Sequence, residues 1–318
     1  MHRAALVLAF TLLALPARAQ DTYPARPVEI VVPFAAGGGT DLIARVLGER
    51  LSESLRQRFV VINRPGASTN IGTAAVANAQ GDGYTLLLTS ISLAANPSLY
   101  RKLSYDAQRD FAPIALIANS PSILVVTPAL PVQSIAELIA ILKARPGEFN
   151  YASYGAGSGP HLAAGLFQDI TGTRMQHVPY GGGGPATIAV LRGEVQVLLA
   201  GSLAVGPMIQ SGQLKPLGIA APARAPALPA IPTFREQGID FVTGTWFGLL
   251  APARTPPAIV ALLSREVQAA LRSETVRTRF AEQGADVVGG TPDDFARFLK
   301  AETERLAAVI RRANIQLD

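Results

Sequence analysis

The chain has no cysteine and only three histidines among its 318 residues. Without thiols there are no disulfide staples, no thiolate nucleophile and no lipid attachment to a cysteine, so the fold must stand on packing. Only His161 and His177 lie beyond the first nineteen residues, and their spacing does not match H-E-x-x-H, which argues against zinc. Lysine is nearly as scarce. Lys102, Lys143, Lys215 and Lys300 are the only four; none follows a glycine-rich turn in a GK[ST] pattern and none has serine three residues before it. Charged residues make up 16% of the chain and aromatics 6%, with no basic run interleaved with aromatics. Nucleic acid is therefore not an expected partner.

The first nineteen residues, MHRAALVLAFTLLALPARA, have a basic start, an apolar stretch from Ala4 to Leu15 and the small-x-small ending Ala17-Arg18-Ala19. This reads as a secretory signal cut before Gln20. Its apolar stretch is well short of the roughly 20 residues needed to cross a bilayer, so an exported, soluble product is expected. Removing it takes away Arg3 and Arg18, lowering the net charge from +5 to +3 and leaving 299 residues. At about 100 to 200 residues per domain, that length suggests two domains.

Strand-like and helix-like stretches alternate along the remainder, which predicts an α/β architecture with largely parallel sheets. Residues 42–59 place Leu42, Val46, Leu47, Leu51, Leu55 and Phe59 on one helical stripe. VVIN (60–63) and YTLLLTS (84–90) read as strands. Ser134 with Glu137, Thr255 before Pro256, Ser273, and Thr291 before Pro292 read as helix starts. A last helix is expected from Asp293 to Ala313. Two passages, ILVVTPALPVQSIAELIAIL (123–142) and FGLLAPARTPPAIVALLSRE (247–266), share a strand, a proline and a capped helix. They read either as crossings between two domains or as ordinary strand-to-helix links.

Three glycine-rich turns stand out. PFAAGGGTD (33–41) lies between an apolar strand and a helix, as do SYGAGSGPHLA (153–163) and HVPYGGGGPA (177–186). Glycine lets ligand oxygens approach backbone amides, and a helix start adds unpaired N–H groups and about half a positive charge. Together these make an anion site without lysine. Walker and dinucleotide patterns both fail, the first for lack of GK[ST] and the second at its final glycine. A G-x-S-x-G elbow is missing around Ser158, so a hydrolase built on Ser158 and His161 is the weaker alternative to binding. Asp41 is expected to stabilise the positive end of its helix. Thr89, Ser90 and Ser92 either offer hydroxyls to a cleft or cap the following segment. Tyr180 either closes on a ligand or packs at a strand end. Trp246 is the single tryptophan and sits beside the second crossing, placed to report domain closure.

The ordered set VVPFAAGGGTD, NRPGA, DGYTLLL, SYDAQRDFAPIALIA, SIAELIA, KARPGEFNYASYGAGSGPHLA, HVPYGGGGPA, LPAIPTFREQG and WFGLLAPARTP resembles the Bug-type solute receptors of tripartite tricarboxylate transporters. The similarity runs from about Tyr23 to the last helix. It implies a two-domain periplasmic binding protein of type II architecture with a ligand cleft between the domains, 20–123 and 248–318 forming one and 124–247 the other. It also implies a non-enzymatic receptor for a small carboxylate: a dicarboxylate, tricarboxylate, amino acid or aromatic acid. Expected partners are membrane transporter subunits or a sensor kinase; a monomer with no cofactor and no metal is expected. The family pattern carries ligand contact to Phe34, Ala35, Gly37, Gly38, Gly39 and Asp41, to Ser153, Gly155, Gly157, Ser158 and His161, and to Tyr180, Gly181 and Gly182. Ser90 joins them as a cleft hydroxyl. Gln196 stands where relatives commonly carry aspartate, and AGSLAV (200–205) departs from the usual segment. Gly201 and Ser202 are therefore the expected readers of the ligand's far end.

Overall fold

The computed structural model describes residues 23–282 and 284–312. The expected signal segment, 1–19, and the last residue of the expected final helix lie outside them. In chain order the elements are β1 (Val28–Val32), α1 (Gly39–Leu55), β2 (Phe59–Asn63), α2 (Asn70–Ala77), β3 (Thr85–Ser90), α3 (Ser92–Leu99) and β4 (Phe111–Val126). Then come α4 (Ile135–Ala144), β5 (Asn150–Ser153), α5 (Gly159–Thr171), β6 (Gln176–Pro179), α6 (Gly183–Leu191), β7 (Val197–Gly201), α7 (Ser202–Gln210) and β8 (Lys215–Ile219). The chain closes with β9 (Gly244–Pro252), α8 (Pro257–Arg272), α9 (Glu274–Ala281), β10 (Asp286–Val287) and α10 (Pro292–Arg312).

The 16-residue strand β4 serves two sheets. Its first part pairs antiparallel with β9, ending at Pro121 opposite Gly244; from Ser122 onward it pairs with β7, beginning opposite Gly201. The first sheet runs β2-β1-β3-β9-β4 and the second β4-β7-β5-β6, with β10 and β8 paired to β4. Both faces of each sheet are covered, and the alternation of side chains along the strands shows it. In β1, Val28, Ile30 and Val32 enter one buried cluster and Val31 another. In the second sheet, Leu124 and Val126 face one cluster while Ile123 and Val125 face the other. The result is a two-domain α/β binding-protein fold with a cleft at the crossing strands.

Helix ends follow local chemistry, with two departures from expectation. The helical stripe does not reach Phe59: α1 stops at Leu55 because Arg56 is left-handed at φ 53°, a conformation that a right-handed helix cannot continue. Phe59 instead opens β2 opposite Val28. Leu55 and Phe59 pack against the same cluster, which is why helical spacing included both. Nor does Thr255 cap α8. The amides of Ile259 and Val260 bond to the Pro256 carbonyl, and the Thr255 hydroxyl is buried without a partner among the described residues. The other starts hold: Ser134 accepts from Glu137 N–H and Ser273 from Val276 N–H. At α10, Thr291 and Asp294 bond reciprocally through side chain and amide.

Candidate functional site

Parallel pairing of β1 with β3, and of β5 with β6 and β7, aligns the carboxyl ends of these strands. Each is followed at once by a helix, so the starts of α1, α3, α5, α6 and α7 gather at the cleft, as expected where ligands bind open α/β sheets. None of these five helices is capped by the side chain of its own N-cap residue, and only α7 gains one from elsewhere, Ser120 Oγ accepting from Leu203 N–H at 3.2 Å. The first backbone bonds are Leu42 N–H to Gly38, Leu162 N–H to Ser158 and Ala186 N–H to Gly182. The preceding amides of α1, α5 and α6 are thus free of the helix ladder, and their dipoles make this region positive without a charged side chain.

A cavity of about 10 Å³ lies between the two sheets, lined by Phe34, Gly39, Thr40, Ser90, Thr245 and Phe247 on one side. Tyr154, Ser158, Gly159, Gly201, Leu203 and Ala204 line the other. That volume holds roughly one water. Beside it the bodies meet directly, with Ala35 N–H donating to the Gly181 carbonyl at 2.9 Å. At this seam Gly38 and Gly183 approach so closely that a Cβ on Gly38 would lie 3.1 Å from the Gly183 nitrogen.

The expected site residues fall into three groups. Phe34, Gly39, Ser90 and Ser158 line the cavity. Ala35, Gly38, Gly181 and Gly182 form the seam, with Gly37 and Tyr180 in the same two loops. Asp41, Ser153, Gly155, Gly157 and His161 stand behind the loops and shape them. Asp41 accepts from Gly37 N–H at 3.1 Å, from Arg45 Nε at 2.9 Å and from Asn63 Nδ2 at 3.0 Å. Burial raises its pKa, but those bonds outweigh it, holding the carboxyl below the usual range. His161 Nδ1 accepts from Gly157 N–H at 2.9 Å, while Ser153 Oγ sits 2.6 Å from His177 Nε2. The two imidazoles stack at 4.1 Å. Burial, with the neighbouring imidazole adding to it, pushes His161 down to about 3; burial pushes His177 down to about 4.

Ser202 lies elsewhere. Its hydroxyl donates to the Gly284 carbonyl at 2.8 Å and sits 2.8 Å from Ser120 Oγ, tying α7 to the crossing strand and to the far body. Gln196 stands at the opposite end of β7 from Gly201, where its side chain accepts from Asn150 N–H. Ser158 and His161 do not form a nucleophile–base pair. Ser158 Oγ donates to the Gly155 carbonyl at 2.6 Å and accepts from Tyr154 N–H at 3.2 Å. Five side chains not expected as ligand contacts also line the cavity: Tyr154, Leu203, Ala204 and Phe247, which lie within the quoted motifs, and Thr245, which lies outside them. The Tyr154 and Thr245 hydroxyls are buried and have no hydrogen-bond partner among the described residues. Burial raises the Tyr154 pKa well above that of an ordinary phenol. No group of three or more metal-ligating side chains occurs among the described residues, and no described helix is long and apolar enough to cross a membrane.

Two α/β bodies sharing a crossing strand, with helix starts turned into the cleft, define a two-domain periplasmic binding protein. The chain belongs to the tripartite tricarboxylate transporter receptor family, whose sequence pattern, described as "Tripartite tricarboxylate transporter family receptor", matches residues 43–315. The Bordetella pertussis protein BugT is 43% identical over 308 residues, covering 96% of this chain and 94% of BugT. Among solved structures, R. palustris Rpa4515 with adipate superposes at TM-score 0.90 and 38% identity, covering 93% of this chain and all of that one. MatC from Rhodopseudomonas palustris with bound malate gives TM-score 0.87 at 33% identity, covering 91% and 100%. These relatives are binding receptors, not enzymes.

Proposed function

We propose that this receptor closes on a small carboxylate in the cleft and delivers it to a membrane transporter. One observation carries the reading: the starts of α1 and α5, from opposite bodies, face one cavity with neither a side-chain cap nor a lining cation. Free amides at a helix start bind carboxylates well, and two such starts suit a ligand with carboxylate at more than one end. Adipate and malate, bound by the two R. palustris relatives, are ligands of that kind. The bodies divide at the crossing strands close to the expected 123 and 247: near Ser122, where β4 begins to pair with β7, and near Gly244, where β9 begins to pair with the first sheet, three residues before the expected return. Export to the periplasm follows from the signal-like first nineteen residues and the family.

Ligand sites usually occupy about 300 Å³ or more, so a diacid enters only when the seam parts. Binding then favours reclosure to the extent that both helix starts hold the ligand at once. Thermal shift against a panel of small carboxylates tests this. A ligand at 100 times its dissociation constant should add about 2.7 kcal/mol, and no response to any carboxylate would refute the reading.

A further inference from the structure

Of the hydroxyls that line the cavity, those of Tyr154 and Thr245 are buried with no hydrogen-bond partner among the described residues. Thr245, only 6% exposed, comes from β9 and abuts the start of α5, where a Cβ on Gly159 would collide with its Oγ1. Tyr154 comes from the second glycine loop and abuts the start of α6, its ring carbon Cζ lying 3.3 Å from where a Gly183 Cβ would stand. The Tyr154 ring also packs between the cluster beneath the first sheet and a cluster of the second. Both hydroxyls lack partners, and a buried unpaired hydroxyl costs free energy unless a ligand satisfies it. Ser158 differs, since its hydroxyl is already engaged at both ends. Ser202 is spent on Ser120 and Gly284. Thr40 and Ser90 add hydroxyls on the first side, and the remaining side chains of the wall are apolar: Phe34, Leu203, Ala204 and Phe247.

Resting on the carboxylate reading, we propose that Tyr154 and Thr245 determine specificity, selecting diacids with an unsubstituted hydrocarbon middle and rejecting their α-amino counterparts. The two hydroxyls donate to ligand oxygens as neutral groups. An ammonium group finds no carboxylate in the lining, because the nearby Asp41 is committed to Gly37, Arg45 and Asn63. The hydroxyls can accept from an ammonium, but the positive helix starts around them oppose a cation. The remaining lining hydroxyls, Thr40 and Ser90, are neutral, and no anionic side chain lines the wall to offset that field.

The test is isothermal titration of the full chain with three matched pairs: succinate and aspartate, glutarate and glutamate, adipate and 2-aminoadipate. The diacid should bind at least about tenfold more tightly than its amino partner in every pair that binds, as expected when a polar group is buried unpaired. Tyr154→Phe and Thr245→Val, each checked for a wild-type melting profile, should each weaken the best diacid by about tenfold. An amino acid that binds as tightly as its diacid overturns the selectivity. Folded variants that both retain wild-type diacid affinity overturn the roles of the two hydroxyls. Absence of binding by all six compounds overturns the carboxylate reading as well, a result separable from the other two.

Discussion

Replacing Gly182 with alanine tests whether the seam is a working closure surface. The residue has φ 164°, ordinary extended backbone that alanine adopts freely, so the substitution strains nothing within its own loop. The added methyl would stand 2.8 Å from the Ala35 nitrogen, 3.1 Å from its Cβ and 3.2 Å from its oxygen. Two of these three atoms are backbone of the opposite body, which cannot swing aside as a side chain does. The seam must therefore open by roughly half an ångström, the step from these separations to ordinary van der Waals contact. Opening lengthens the Ala35 N–H to Gly181 bond, a net loss of about 0.5–1.5 kcal/mol, and loosens the adjoining Gly38–Gly183 contact. We expect about 1–3 kcal/mol against the closed form, or about 5- to 150-fold weaker diacid binding. The neighbouring Gly181→Ala is the control, since no atom lies within 4 Å of a methyl there. Titration calorimetry and small-angle scattering should show Gly182→Ala weak in binding and more open with ligand, and Gly181→Ala close to wild type. Equal affinity and equal radius of gyration in the two variants would refute the reasoning.

Other consequences concern the supports of the site. Asp41→Ala removes the acceptor of Gly37 N–H and one of the two acceptors of Asn63 Nδ2, which keeps the Phe34 carbonyl, and should cost about 2–3 kcal/mol in urea unfolding at pH 7. Because the folded carboxyl titrates below the unfolded value of 3.8, its contribution is present above about pH 4 and fades as pH falls through the lower folded value. The gap between wild type and Asp41→Ala should narrow there; a gap that is constant to pH 2 contradicts the assignment. His161 and His177 titrate in the fold at about 3 and about 4, against 6.5 unfolded. The unfolded chain therefore takes up protons first, and stability should fall as pH drops from about 6.5 toward 4. The His161 slope approaches about 1.4 kcal/mol per pH unit, and a flat profile in urea melts across that range would contradict it. Ser202→Ala should lose about 0.5–1.5 kcal/mol of stability through its bonds to Ser120 and Gly284 while leaving the order of ligand preference unchanged. A changed preference in titration would return Ser202 to the ligand.

The elements that sequence predicts best are those whose signal is local. The β1 strand, the glycine turns and the Ser134 and Thr291 caps all follow from short-range stereochemistry. The end of α1 does not, because Leu55 and Phe59 face one core from a helix and from a strand, and spacing alone cannot separate the two. The loops that form the cleft were marked by glycine runs next to strands. Of the hydroxyls that line it, Ser90 and Ser158 are legible in sequence, but Tyr154 is hidden among the glycines of its loop and Thr245 carries no spacing pattern. Thr245 reaches the cavity only because β9 pairs with the part of β4 next to its crossing, Thr245 opposite Ser120, residues more than a hundred positions apart. Ser202 looked available in sequence for the same reason: its partner Gly284 is brought to it by the fold.

The central claim is that helix-start amides, not cationic side chains, hold the ligand between the two bodies. A crystal structure of the protein with a bound diacid tests it most directly. Carboxylate oxygens should lie within hydrogen-bonding distance of the amides at Gly39–Thr40 and at Gly159, directly or through one water, with the Tyr154 and Thr245 hydroxyls turned to the ligand. A diacid held by an arginine or lysine, or seated outside the cleft, would contradict it.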